Sequence, residues 1–189
     1  MVDTISIVGH GPSLKDKKLG KIIDKNKVVR LKGCIFNEDF GHQTHVICAS
    51  TEVMGLFKRS YAEEYWAYPK KGSFDGEQAL NVMIKLQSPV LIPLYHCEYW
   101  NRRFRLMGAS HPNVSTGMAA IIISIQRLKP DVIKLFGFDT LLDPSLDFDR
   151  YQEVPRSGIG EYPAHDWEME NKLLGILENV YKVTIESGH

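Results

Sequence analysis

The chain has little that would tie it to an oxidising compartment or to a membrane. It carries only three cysteines, Cys34, Cys48 and Cys97, and their spacing fits neither a disulfide framework nor a metal-ligand set. A reducing, cytoplasmic setting is therefore the expectation. The longest apolar run, residues 118–123, falls far short of the roughly 20 residues that a membrane helix needs. The first residues lack the basic and apolar segments of a secretory leader, and no stable membrane insertion is expected. Net charge is absent as well, with 23 Lys and Arg against 23 Asp and Glu, whereas a duplex-binding protein is usually more basic. Repeats and low-complexity tracts are missing.

What remains is an ordinary globular composition. The 189 residues, 43% of them hydrophobic and 24% charged, suffice for one domain with a real core and are short for two. A single domain over 1–189 is the expectation. The charge is uneven: residues 1–32 hold eight Lys and Arg against three Asp and Glu, and residues 139–189 hold four against eleven. Arg102, Arg103 and Arg105 form a further basic cluster, as do Lys70 and Lys71. These charges read either as solvated faces or as a basic rim around an anionic ligand.

Strand-like runs at 4–8, 27–31, 45–49, 65–68, 89–94, 132–136 and 181–185 alternate with helical patterns at 14–23, 76–86, 115–128 and 167–180. The alternation predicts a single-domain, Rossmann-like α/β fold, with a mostly parallel sheet and helices on both faces. Residues 115–128 are apolar almost all round and predict a buried helix. From 139 to 162 no period is visible, so a lid or acceptor loop over about 139–164 is expected.

Two small-residue turns each end a strand-like run or open a helix-like one. Gly9-His10-Gly11-Pro12-Ser13-Leu14 follows the run 5–8, and Ser115-Thr116-Gly117 precedes the buried helix. A third turn, Gly137-Phe138-Asp139, follows the strand at 132–136. Such turns at helix N-termini receive phosphates and carboxylates. The first is neither a full dinucleotide fingerprint nor a P-loop, because Pro12 and Ser13 stand where a third glycine is wanted and no Gly-Lys-Ser/Thr follows. Alone it fits a structural tight turn as well as a nucleotide site.

Together the segments resemble the conserved blocks of sialyltransferases. The run from Ile7 to Leu14, with Val28-Val29-Arg30 after it, resembles their first block. Val114-Ser115-Thr116-Gly117 with Leu135-Phe136-Gly137-Phe138-Asp139 resembles the second. His165, followed by Leu173, Leu174, Leu177, Glu178 and Tyr181, resembles the stretch with the catalytic histidine, and His165 with Glu170 fits the His-x4-Glu spacing of the animal enzymes. The resemblance implies a GT-A-like fold and a metal-independent inverting glycosyltransferase that moves sialic acid or another sugar from a CMP-activated donor to an acceptor hydroxyl, with no cofactor. It implies donor-nucleotide contacts at Gly9, His10, Gly11, Pro12, Ser13, Lys32, Ser115, Thr116, Gly117, Gly137, Phe138 and Asp139, and a general base at His165. Tyr151 and Tyr162 would meet the leaving phosphate. The chemistry agrees: a neutral imidazole suits base catalysis near pH 7, a helix opening behind His165 would favour its neutral form, and backbone N–H groups near Ser115 would stabilise the departing phosphate.

Each residue also has a plainer reading. His165 alone is a surface histidine ahead of a helix, and Ser115 an N-cap. Glu170 lies about 140° around a helix from His165 and reads as a surface residue. Trp66, Trp100 and Trp167 read as packing. Asp147-Phe148-Asp149 reads as solvated loop rather than metal site. The chain departs from the family at His10, Lys32 and Asn113, which stand at or near two family asparagines and an arginine. Those departures keep two rivals open: a same-fold transferase that modifies nucleic-acid bases with another nucleotide sugar, for which Arg102, Arg103 and Arg105 would meet acceptor phosphates, and a non-catalytic nucleotide-binding module. A homo-oligomer is compatible with either.

Overall fold

A computed structural model describes residues 3–31, 35–50, 54, 62–68, 90–91, 94–145 and 165–188. Lys32, Tyr151, Tyr162, the Asp147-Phe148-Asp149 segment, Lys70 and Lys71, the helix expected over 76–86 and most of the expected loop over 139–164 lie outside these residues.

Among the described residues seven strands build one sheet: β1 (Thr4–Val8), β2 (Lys27–Leu31), β3 (Val46–Ser50), β4 (Glu64–Tyr68), β5 (Val90–Leu91), β6 (Val132–Phe136) and β7 (Thr184–Ser187). Their order is β5-β4-β3-β2-β1-β6-β7, and every pairing is parallel. Parallel strands need covering on both faces, and the last four residues of β1 and of β2 are all buried, the polar Ser6 and Arg30 included. On one face Ile5, Ile7, Val29, Val46, Trp66 and Leu135 pack with Met118, Ile121, Ile122 and Ile125 of the buried helix α3 (Thr116–Leu128), and with Leu173 and Leu177 of α5 (Trp167–Tyr181). On the other, Val8, Val28 and Phe136 meet Leu14, Ile23 and Phe40. Each fully buried isoleucine or leucine contributes about 1.5–3 kcal/mol. The three tryptophans serve this packing: Trp66 and Trp100 are buried and Trp167 is partly so.

The helix expected over 14–23 is broken. A 3-10 turn at Pro12–Leu14 is followed by Asp16 and Lys18 at positive φ (60° and 52°), and only α1 (Gly20–Ile23) is α-helical. The cause lies outside the segment. The buried Asp39 carboxylate accepts the N–H groups of Asp16 (3.0 Å) and Lys18 (2.8 Å), which drives the chain through the left-handed region instead of around a helix. A helix also stands where none was expected, α2 (Leu94–Leu106), in which Trp100 and Phe104, four residues apart, face the core. The segment after Gly137 opens with a short helix, α4 (Asp139–Leu142).

The topology places a crevice. The chain leaves β1 for β2 and the strands beyond, then returns on the other flank of β1 as β6. Ligands of open parallel sheets bind at such a reversal, outside the carboxyl ends of the strands. No helix among the described residues is long and apolar enough to cross a membrane.

Candidate active site

The turn after β1 and the turn after β6 interlock at that reversal. The Gly9 N–H donates to the Phe136 carbonyl (2.7 Å) and the Gly11 N–H to the Gly137 carbonyl (2.9 Å). Asp139 accepts the Ser13 N–H (2.9 Å) and the Ser13 hydroxyl, so it secures the 3-10 turn that follows Pro12. Glycine is required by close approach: a Cβ on Gly11 would stand 2.6 Å from Asp139 Oδ2, and one on Gly9 2.5 Å from the Gly137 carbonyl oxygen. Gly137 itself has φ +67°, where a side chain is strained. The buried Phe138 ring lies against Gly9 on one side and Gly117 at the start of α3 on the other. His10 is half-buried beside these turns.

A test of this interlock uses two glycines of opposite character. A Cβ on Gly117 would lie 2.7 Å from the Phe138 ring, whereas Gly175 in α5 has nothing within 4 Å of that position. Gly117→Ala is expected to destabilise the fold by about 1–3 kcal/mol. Gly175→Ala is expected to stabilise it by up to about 1 kcal/mol through helix propensity. Urea unfolding of both variants checks the pair.

The N-terminus of α3 opens at the same edge. Ser115 caps it, its Oγ accepting the Met118 N–H (3.0 Å). Both carboxylate oxygens of Glu170, from α5, turn to Ser115, accepting its N–H and its hydroxyl (2.7 Å). Glu170 is fully buried, which corrects the surface placement read from the sequence. It occupies the i position of the stripe Glu170, Leu173, Leu174, Leu177, all of it buried, and that spacing was the available signal. Burial pushes its carboxyl up to about 7, against the two Ser115 hydrogen bonds, and the Asp166 charge adds to the rise. Thr116 Oγ1 accepts the Tyr68 hydroxyl from the end of β4 (2.8 Å). One carboxyl group at this helix start is thus supplied by the chain itself.

His165 stands just ahead of α5. Its neighbour Asp166 caps that helix, accepting the Met169 N–H (3.0 Å), and also takes the N–H (2.7 Å) and hydroxyl (2.8 Å) of Ser110. Burial opposes the Asp166 charge, but these Ser110 and Met169 bonds, with Lys172 nearby, hold its carboxyl below the usual range. The loop after α2 is thereby tied to the start of α5, and His111 is brought to His165, the ring centroids 5.7 Å apart. Nothing in the sequence pairs these two histidines, and His111, Ser110 and Tyr68 went unnoticed there. Asn113 shapes the same loop, its carbonyl 2.9 Å from His111 Nδ1.

Arg102, Arg103 and Arg105 are exposed on α2. Arg103 stacks over Tyr99 at 5.2 Å, and Arg105 donates to the Pro112 carbonyl (3.3 Å). Arg30 is buried at the end of β2 and donates to the Gln43 (2.9 Å) and Phe40 (2.8 Å) carbonyls, holding the loop that follows it.

No protein-family profile matches the sequence, and neither does any curated protein. Solved structures do match. A mammalian sialyltransferase in complex with Gal-beta-1-3GalNAc-ortho-nitrophenol superposes with a TM-score of 0.61 at 19% identity, covering 100% of this chain and 70% of that one. The sialyltransferase CstII from Campylobacter jejuni, in complex with cytidine-5'-monophosphate, gives 0.60 at 16% identity over 97% of this chain and 78% of the other. An apo alpha-2,3-sialyltransferase from Campylobacter jejuni gives 0.59 at 17%, over 98% and 75%. At these identities the likeness concerns architecture, and the chain has a sialyltransferase-like α/β fold.

Proposed function

We propose that the protein is a glycosyltransferase that takes a sugar from a CMP-activated donor and passes it, with inversion and without a metal, to an acceptor hydroxyl. The observation that carries this reading is the convergence, at one sheet reversal, of the interlocked Gly9 and Gly137 turns and the α3 N-terminus, joined through Glu170 to the helix that follows His165. Support comes from the fold it shares with enzymes whose described complexes hold a CMP nucleotide or a galactose-based acceptor.

In this reading the nucleotide lies along the 9–13 and 137–139 turns, with Lys32 beside it. The backbone N–H groups of Thr116 and Gly117 would meet the phosphate, since Ser115 is held by Glu170 and the Thr116 hydroxyl by Tyr68. His165 takes the proton of the acceptor hydroxyl as the glycosidic carbon leaves the phosphate oxygen, and Tyr151 and Tyr162 donate to that oxygen. The exposed arginines of α2 remain the nearest candidates for an acidic acceptor.

The test is thermal unfolding with CMP, CDP, UDP, GDP and ADP at equal concentration, because a ligand that binds only the folded state raises the midpoint. A rise with CMP and CDP alone is expected. A rise with UDP or GDP instead would keep the transferase and exchange the donor, and no rise with any of them would remove the nucleotide site.

A further inference from the structure

We propose that His111 is a positioning residue for His165, forming with Trp167 a pair of walls that set the orientation of the His165 imidazole. The proposal rests on the reading of His165 as the base. The His165 ring has Trp167 at 4.9 Å between centroids, tilted by 59°, and His111 at 5.7 Å, edge-on at 64°. Rotation about the last side-chain bond of a histidine is broad and only weakly confined by its own torsional preference. Two rings in contact supply the confinement that the bond does not.

Both walls are anchored. Trp167 is the first residue of α5 and packs partly buried against the main core. His111 Nδ1 lies 2.9 Å from the Asn113 carbonyl oxygen and 3.3 Å from the Asn113 N–H. Either contact ties the ring to the Asn113 backbone, whichever tautomer the imidazole adopts. The loop that carries His111 is fixed at both ends, by Ser110 on Asp166 and by the Val114 N–H on Asn101 Oδ1 (3.1 Å). Asp166 is also the cap of the helix behind His165, so one carboxylate ties the wall and the base to the same frame. A general base must reach its proton at about 2.6–3.2 Å, and a misplacement of about 1 Å costs on the order of 100-fold in rate.

The role demands a flat ring at position 111 and makes no use of its nitrogen as a proton carrier. His111→Ala is expected to lower kcat about 10- to 100-fold with the donor KM unchanged. His111→Phe, which restores the wall, is expected to recover most of that loss. In the free protein, the side-chain NMR signals of His165 are expected to broaden through conformational exchange in His111→Ala and to stay as sharp as in the parent in His111→Phe. A His111→Ala variant with full kcat and with His165 signals as sharp as the parent's would overturn the proposal. So would a His111→Phe variant as impaired as His111→Ala, which would transfer the role to the His111 nitrogen. The NMR arm separates the two readings. If the His165 signals respond but His165→Ala keeps full activity, the base assignment fails and the positioning stands; if they do not respond, the positioning fails whatever the activity.

Discussion

His165→Ala is expected to lower kcat about 100- to 10,000-fold, the range typical for loss of a positioned general base, and to leave the affinity for CMP unchanged. The two halves of the result come from different parts of the crevice. The proposed nucleotide contacts belong to turns fixed by backbone bonds, Gly9 to Phe136 and Gly11 to Gly137, and by Asp139 on Ser13. None of these passes through His165. The imidazole stands ahead of α5, on the frame made by Asp166 and the loop after α2. A variant that keeps full kcat would remove His165 from the chemistry. A variant that loses CMP affinity in step with kcat would turn it into a donor ligand.

Glu170→Gln is expected to change the pH dependence of stability by about 3 kcal/mol between pH 4.5 and 8. Burial raises the carboxyl from 4.5 to about 7 in the folded protein. Between those values the unfolded chain has released its proton while the folded chain still holds it, so the folded state binds more protons and stability falls as pH rises. Below about 4.5 both states are protonated, and above about 7 the full cost is present and constant. Glutamine does not titrate, and its amide can still accept from the Ser115 N–H and donate to Ser115 Oγ. The variant and the parent should therefore unfold at similar urea concentrations in acid, with the variant the more stable at pH 8. Parallel pH profiles would show that the carboxyl titrates normally, contrary to its burial.

The same residue marks the limit of what could be read from the sequence. The β1 and β6 runs and the turns after them were legible because short apolar runs followed by glycines have few other interpretations. The sheet order then brought those turns together, because β6 lies beside β1, an adjacency that alternation alone does not specify. Glu170 was misread because a carboxylate at a core position contradicts its type, although its spacing from Leu173, Leu174 and Leu177 was visible. Its partner Ser115 lies 55 residues away, and no local pattern announces such a bond. The broken helix after Pro12 has the same origin, since Asp39 imposes it from 23 residues off. Helix α2 was hidden by composition: Arg102, Arg103 and Arg105 interleave with Trp100 and Phe104, and only two of its described side chains supply a buried face. The His111 and His165 pairing depends on the Ser110 and Asp166 bond, which is tertiary throughout.

The central claim is that the crevice between β1 and β6 holds a cytidine nucleotide. An amide NMR titration of the protein with CMP, with UMP as the control, tests it most directly because it reads affinity and location together. The account predicts saturable shifts with CMP at Gly9, Gly11, Thr116, Gly117 and Gly137, and weaker ones with UMP. Absence of shifts at these amides, or shifts confined to another face of the sheet, would contradict it.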